Sequence, residues 1–181
     1  MKAPGMKVRT ANSRDAAAVH RVVAHYVEQG LLLPRSAEEV REHIDHFLVL
    51  VETREGRERV LGCVALEPYG SELAEIRSLA VAPEARGHVH KAGDQLMQAA
   101  IATARQRKIT RLFAVTHRPD FFVRYGFVTG PRQAVPEKVE RDCATCPKQA
   151  HCELVAAVLV VCPERDVLPV VDARRKALSV A

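Results

Sequence analysis

Residues Glu75-Ile76-Arg77-Ser78-Leu79-Ala80-Val81-Ala82-Pro83, with Arg86-Gly87 following, decide how this chain folds. Ala74–Val81 is a β-rich run, and Pro83 stops it because proline cannot donate to a strand ladder. Beyond it, Arg86-Gly87-His88-Val89-His90-Lys91-Ala92-Gly93 leads into an amphipathic stretch over 92–108, with Leu96, Ala99, Ala100 and Ala104 on one helical face. A glycine-containing loop that opens a helix presents unpaired backbone N–H groups and the positive end of the helix dipole. Both suit a pyrophosphate, and Arg86, Lys91 and the two histidines add positive charge. Two glycines six residues apart form neither a Walker loop nor a dinucleotide fingerprint.

Working outward, Val60–Leu66 and Phe47–Glu52 are further strand patterns, joined by a charged turn over Thr53–Arg59 around Gly56 and a Pro68/Gly70 turn. Short loops between three strands imply an antiparallel meander. Upstream, Lys7–Ala11 is a strand candidate, and Ser13 caps a helix that carries Ala16, Val19, Val22, Val23 and Tyr26 to a stop at Gly30. Ser36 and Glu39 form a capping box for a second helix ending near His46. Downstream come a strand at Arg111–Val115, a short helix at Asp120–Tyr125 and a strand at Gly126–Val128. Pro131–Cys152 reads as irregular, and Leu154–Val161 as a last apolar strand. The expected fold is α/β, a mixed, mostly antiparallel sheet flanked by helices. One domain over 1–162 includes a cysteine-rich segment at 140–153, and 163–181 forms a tail.

Composition narrows the function classes. The 181 residues are 48% hydrophobic and 27% charged, which excludes a mainly disordered chain. The longest apolar run, Leu154–Cys162, is far short of the ~20 residues that span a bilayer. Met1–Val8 shows no apolar signal region, so the expected setting is cytoplasmic. The net charge of +5 comes from basic residues scattered over several segments, among few aromatics and no tryptophan. Nucleic-acid binders concentrate Lys and Arg on one stripe. No nucleic acid or membrane partner is therefore expected, and a polyanionic nucleotide-type cofactor is the economical ligand.

The decisive stretch resembles the central strand and phosphate loop of GNAT-fold acetyltransferases, and Thr116 with Phe121-Phe122-Val123-Arg124-Tyr125-Gly126-Phe127 resembles that fold's closing elements. Leu33-Pro34-Arg35-Ser36, Gly62-Cys63-Val64-Ala65-Leu66, Leu112-Phe113-Ala114-Val115-Thr116 and Pro136-x-Lys138 together are most similar to short single-domain N-acetylglutamate synthases. The spacing Cys143-x2-Cys146-Pro147-Lys148-x3-Cys152-Glu153 looks like the tail of those short members. The family loop reads Arg/Gln-x-x-Gly-x-Gly/Ala. Here its glycine positions fall on Val89 and Lys91, and we favour a two-residue insertion that brings Gly93 into register.

The resemblance implies acetyl-CoA as cosubstrate, direct acetyl transfer to the amine of L-glutamate in a ternary complex, and a place at the first step of arginine biosynthesis. Another amine acceptor (an amino acid or a protein N-terminus), or a non-catalytic acyl-CoA-binding module, are the competing readings. It further implies that the main chain of Leu79, Ala80 and Val81 binds pantetheine, while Arg86, Gly87, Lys91, Ala92 and Gly93 hold the pyrophosphate. Glu75 is the general-base candidate. Glutamate's two carboxylates call for cationic forks, for which the resemblance points to Arg35, Arg77, Arg118 and Lys138, with Thr116 beside them. Many members place a tyrosine acid where this chain has Phe122, and Tyr125 lies too far along to replace it. Cys143, Cys146, His151 and Cys152 could supply four zinc ligands. Adjacent His151 and Cys152 reach one ion with difficulty, and Cys63 or Cys162 could replace one of them; we favour a reduced structural cluster without metal. A homodimer is left open.

Overall fold

Seven strands form one mixed sheet in the computed structural model, which describes residues 5–85, 92–144, 146 and 149–162. In chain order they are β1 (Gly5–Thr10), β2 (Phe47–Arg54), β3 (Arg57–Pro68), β4 (Leu73–Val81), β5 (Arg111–Thr116), β6 (Val128–Gly130) and β7 (Val155–Val160). Their spatial order is β1-β2-β3-β4-β5-β7-β6. All neighbours run antiparallel except β4 and β5, so the expected α/β architecture and the β2–β3–β4 meander are observed.

Helices cover the sheet because their apolar residues recur at helical spacing. α1 (Ala16–Glu28) buries Ala16, Val19, Val22, Val23 and Tyr26. α3 (Ala92–Gln106) buries Ala92, Leu96, Met97, Ala100 and Ala104. α3 packs on β2, β3 and β4, and α1 on β3, β4 and the short α2 (Ala37–Glu42). Every residue from Phe47 to Val51 is buried, so both faces of the sheet centre are covered. Full burial of each such Leu or Val is worth about 1.5–3 kcal/mol.

The boundaries correct several expectations. Asn12, not Ser13, caps the first helical turn, because its side chain accepts from Arg14 N–H while Asp15 reaches back to Asn12 N–H. The Ser36/Glu39 capping box forms, but α2 stops at Glu42 and a separate 3-10 turn spans Ile44–His46. The broad turn over 53–59 is two residues only. Glu55 (φ 50°) and Gly56 (φ 76°) both take the left-handed conformation that suits a tight hairpin. Gly126 (φ 86°) ends the turn after α4 (Pro119–Val123) instead of starting a strand. The segment read as irregular contains an α turn, α5 (Pro136–Lys138), that runs into a π turn (Val139–Cys143).

Candidate active site

β4 and β5 are paired only over Leu73↔Arg111, Ala74↔Leu112 and Glu75↔Phe113, while β5 continues against β7 as far as Thr116. Beyond Glu75 the two strands part. The cause lies in β4 itself: Cys63 faces Ala80 but Ala65 faces Arg77, so β4 carries one extra residue against β3. Ser78 absorbs it with φ 50°, and such a bulge bends its strand.

Main-chain direction follows from the register. Ala82 N–H donates to Leu61 O at 2.8 Å, and Gly62 stands opposite Val81. In an antiparallel ladder this turns the groups of Ala80 toward β3 and those of Val81 away from it. Ala80 is therefore not a pantetheine contact, which corrects the expectation for that residue. Val81 O accepts the Tyr26 hydroxyl at 2.5 Å. Gly62 is required where it stands, since a Cβ there would lie 2.8 Å from Ala80 O and 3.0 Å from Leu96 Cδ1.

On β4's bent segment, Glu75 and Arg77 share a face with Glu67 of β3, whose Cα partner is Glu75. Two carboxylates directly opposite each other repel, and a set of cations resolves this. Lys138 Nζ donates to Glu75 Oε2 at 2.8 Å and to Asp142 Oδ2 at 2.5 Å. Tyr69 donates to Asp142 Oδ2 at 2.8 Å and lies 3.1 Å from Glu75 Oε2. Arg77 Nε stands 3.5 Å from the same Glu75 oxygen and its Nη1 3.7 Å from Asp142. Glu67 is gripped from two sides, by Arg35 at 3.0 Å on Oε2 and Arg141 at 2.9 Å on Oε1. Arg35 also stacks over Phe47, and Arg141 over Tyr69.

These contacts set the protonation states. Burial alone would raise the Glu67 carboxyl, but the Arg35 and Arg141 hydrogen bonds outweigh it and bring it down to about 2. Asp142 is likewise held below the carboxylate range, because the Lys138 and Tyr69 hydrogen bonds overcome its burial. Burial, reinforced by Glu75 and Asp142, pushes the Tyr69 phenol well above its ordinary range, so it remains a proton donor.

The structure thus joins Arg35, Glu75, Arg77 and Lys138 in one network. It leaves Thr116 and Arg118 apart at the end of β5, where Thr116 Oγ1 accepts Arg118 N–H at 2.9 Å. Ala92 is buried at the start of α3, and Gly93 faces the Phe121 ring, 3.6 Å from where a Cβ would stand. Arg86, Gly87 and Lys91 lie outside the described residues. Among the described residues, no group of three or more His, Cys, Asp or Glu side chains is disposed to hold a metal ion. Cys143 is buried, and Cys146 and Cys152 are half-buried free thiols. No helix among the described residues is long and apolar enough to cross a membrane.

Sequence reasoning missed Glu67, Tyr69, Arg141 and Asp142. Lys138 and Asp142 are four apart, a spacing that pairs opposite charges on one helical face. Glu67 directly follows the apolar run Val60–Leu66 of β3, which is the pattern of a buried, partnered charge.

A central strand that parts from its neighbour, followed in the chain by a helix and carrying a charged network along one face, is an arrangement suited to acyl transfer. The acetyltransferase (GNAT) domain family matches residues 43–129. An uncharacterized N-acetyltransferase of Chlorobaculum tepidum is 36% identical over 158 residues, which cover 87% of this chain and 98% of the relative. The chain belongs to the GNAT acetyltransferase family. An amino-acid acetyltransferase of Mycobacterium tuberculosis is 34% identical over 122 residues, or 66% of this chain and 67% of the relative. N-acetylglutamate synthase from Neisseria gonorrhoeae, solved with coenzyme A and N-acetyl-glutamate, superposes with a TM-score of 0.74 at 29% identity. That match covers 89% of this chain and 36% of the gonococcal one, so this chain spans about a third of the larger protein. The protein is an N-acetyltransferase with acetyl-CoA as its cosubstrate.

Proposed function

We propose that the acceptor is L-glutamate and that the product is its N-acetyl derivative, as made at the first step of arginine biosynthesis. The observation that carries this reading is the charge balance at the bent part of β4. Arg35, Arg77, Lys138 and Arg141 are drawn together around three carboxylates, Glu67, Glu75 and Asp142. One positive charge is left over, and the exposed Arg118 across the cleft adds another. A dicarboxylate suits such a surplus, and the gonococcal relative was solved with N-acetyl-glutamate.

In this mechanism the backbone at Leu79 and Val81 lines the pantetheine path, and Leu79 N–H meets the thioester oxygen as it becomes an oxyanion. Ala92 and Gly93 open the helix at the pyrophosphate, with Arg86, Gly87 and Lys91 just before it. Glu75 takes the ammonium proton. Its Oε2 is held by Lys138 and Tyr69, which leaves Oε1 for the proton. Arg77, Arg118 and Thr116 address the acceptor's carboxylates, while Arg35 and Lys138 act chiefly by holding Glu67 and Glu75 in place.

Thiol release from acetyl-CoA with glutamate, glutamine and aspartate tests the assignment. Glutamine is nearly isosteric but neutral and leaves a cation unpaired, so it should be poorer in kcat/KM by about two orders of magnitude. Aspartate keeps both charges but is one methylene short, so it should also fail. Comparable kcat/KM for glutamate and glutamine refutes the proposal.

A further inference from the structure

Glu75 is crowded by cations before any substrate arrives. Lys138 Nζ lies 2.8 Å from its Oε2, and Arg77 Nε lies 3.5 Å from the same oxygen. Cations so placed favour the charged carboxylate and weaken it as a proton acceptor. General-base catalysis asks for the reverse, a group whose hold on a proton suits neutral pH. A second acceptor that draws donors away from Glu75 resolves the conflict.

Asp142 is placed to be that acceptor. It reaches the site from the π turn that follows α5, and its Oδ2 lies 2.5 Å from Lys138 Nζ, closer than Glu75 does. The same oxygen is 2.8 Å from the Tyr69 hydroxyl, against 3.1 Å for Glu75 Oε2. A phenol has a single proton, so giving it to Asp142 turns the lone pairs of the Tyr69 oxygen toward Glu75. Arg77 Nη1 stands 3.7 Å from Asp142 Oδ2, and Arg141 Nε 3.6 Å from Oδ1. With these partners outweighing its burial, Asp142 stays ionised at neutral pH.

We infer that Asp142 is a positioning residue that sets the strength of the base. By claiming the Tyr69 proton and a share of the Lys138 ammonium, it leaves Glu75 able to take a proton from the acceptor's ammonium. The step it serves balances. One ammonium proton moves to Glu75 Oε1 and on to solvent, and the freed nitrogen lone pair attacks the thioester carbon. The C–S bond then breaks with its electron pair on sulfur, and the nitrogen's next proton balances the CoA thiolate. This role rests on Glu75 as the base, and not on glutamate as the acceptor.

The other groups that face Glu75 have their own partners. Glu67, opposite it on β3, is held by Arg35 and Arg141, with His46 Nδ1 3.7 Å from its Oε2. On β5, Glu75 stands opposite the buried Phe113. Among the described residues, Asp142 is therefore the carboxylate that competes with Glu75 for Lys138 and Tyr69.

Asp142→Asn tests this, a nearly isosteric change at a side chain that is 28% exposed. The amide is a weaker acceptor than the carboxylate that remains, so Lys138 and Tyr69 turn to Glu75. The kcat/KM profile against pH is read with the amino acid that the wild-type enzyme acetylates best. Its acidic limb should move to lower pH by about one unit, and kcat on the plateau should fall about 3- to 10-fold. Asp142→Glu restores the charge and should bring the limb back toward wild type. A limb that stays in place or moves up in Asp142→Asn, whatever the loss of rate, overturns the inference, as does one that Asp142→Glu fails to bring back. Glu75→Gln separates this role from the base assignment, because it should abolish the limb. If rate and limb survive Glu75→Gln, the base assignment falls and the role of Asp142 falls with it. If the limb is lost with Glu75 but indifferent to Asp142, the role of Asp142 alone is refuted.

Discussion

Glu67→Gln isolates the electrostatics that hold the acceptor face together. Glu67 is buried, opposite Glu75, and neutralised by Arg35 and Arg141. Its carboxyl falls from 4.5 to about 2 in the folded protein. At 1.36 kcal/mol per pH unit, this depression contributes about 3 kcal/mol of stability at pH 7. Because the folded value is the lower one, the contribution is complete above about pH 5. It is lost as the pH falls toward 2, and roughly 1.4 kcal/mol remains at pH 3. The amide keeps the shape and one acceptor but leaves the Arg35 guanidinium, whose side chain is 9% exposed, without a counter-charge. Urea unfolding followed by circular dichroism at pH 7, 5, 4 and 3 should show the variant weaker by about 3 kcal/mol at neutrality. The gap should close as the pH drops. A gap below about 1 kcal/mol at pH 7, or one that stays constant down to pH 3, refutes the account of Glu67 as a charge fixed by two guanidinium groups.

Two further outcomes follow from the same geometry. Gly62→Ala places a methyl 2.8 Å from the Ala80 carbonyl, a main-chain atom that cannot yield cheaply, so chemical denaturation should register a loss of about 1–3 kcal/mol. Lys138→Met leaves Glu75 and Asp142 without the ammonium they share. Two neighbouring carboxylates then resist joint ionisation, so the acidic limb of the kcat/KM profile should move to higher pH, and an unmoved limb excludes a positioning role for Lys138.

Much of the fold was legible in the sequence because its causes are local. The helical recurrence from Ala16 to Tyr26, the Ser36/Glu39 box, the Gly30 stop at φ 71° and the β2–β3–β4 meander each rest on neighbours in the chain. The order of motifs around Glu75–Pro83 likewise pointed to the acetyltransferase family, and Arg35, Arg77, Glu75 and Lys138 were named from it. Tertiary structure alone decided what those residues do for one another. Glu67 meets Arg141 across 74 positions, and Tyr69 meets Asp142 across 73, contacts for which no local pattern selects. Which backbone groups of β4 face the cleft depends on a one-residue bulge at Ser78, since a side-chain and hydrogen-bond period of two reverses every assignment beyond a slip of one. That slip turned Ala80 toward β3 and brought Val81 O to the Tyr26 hydroxyl, 55 residues away in the chain.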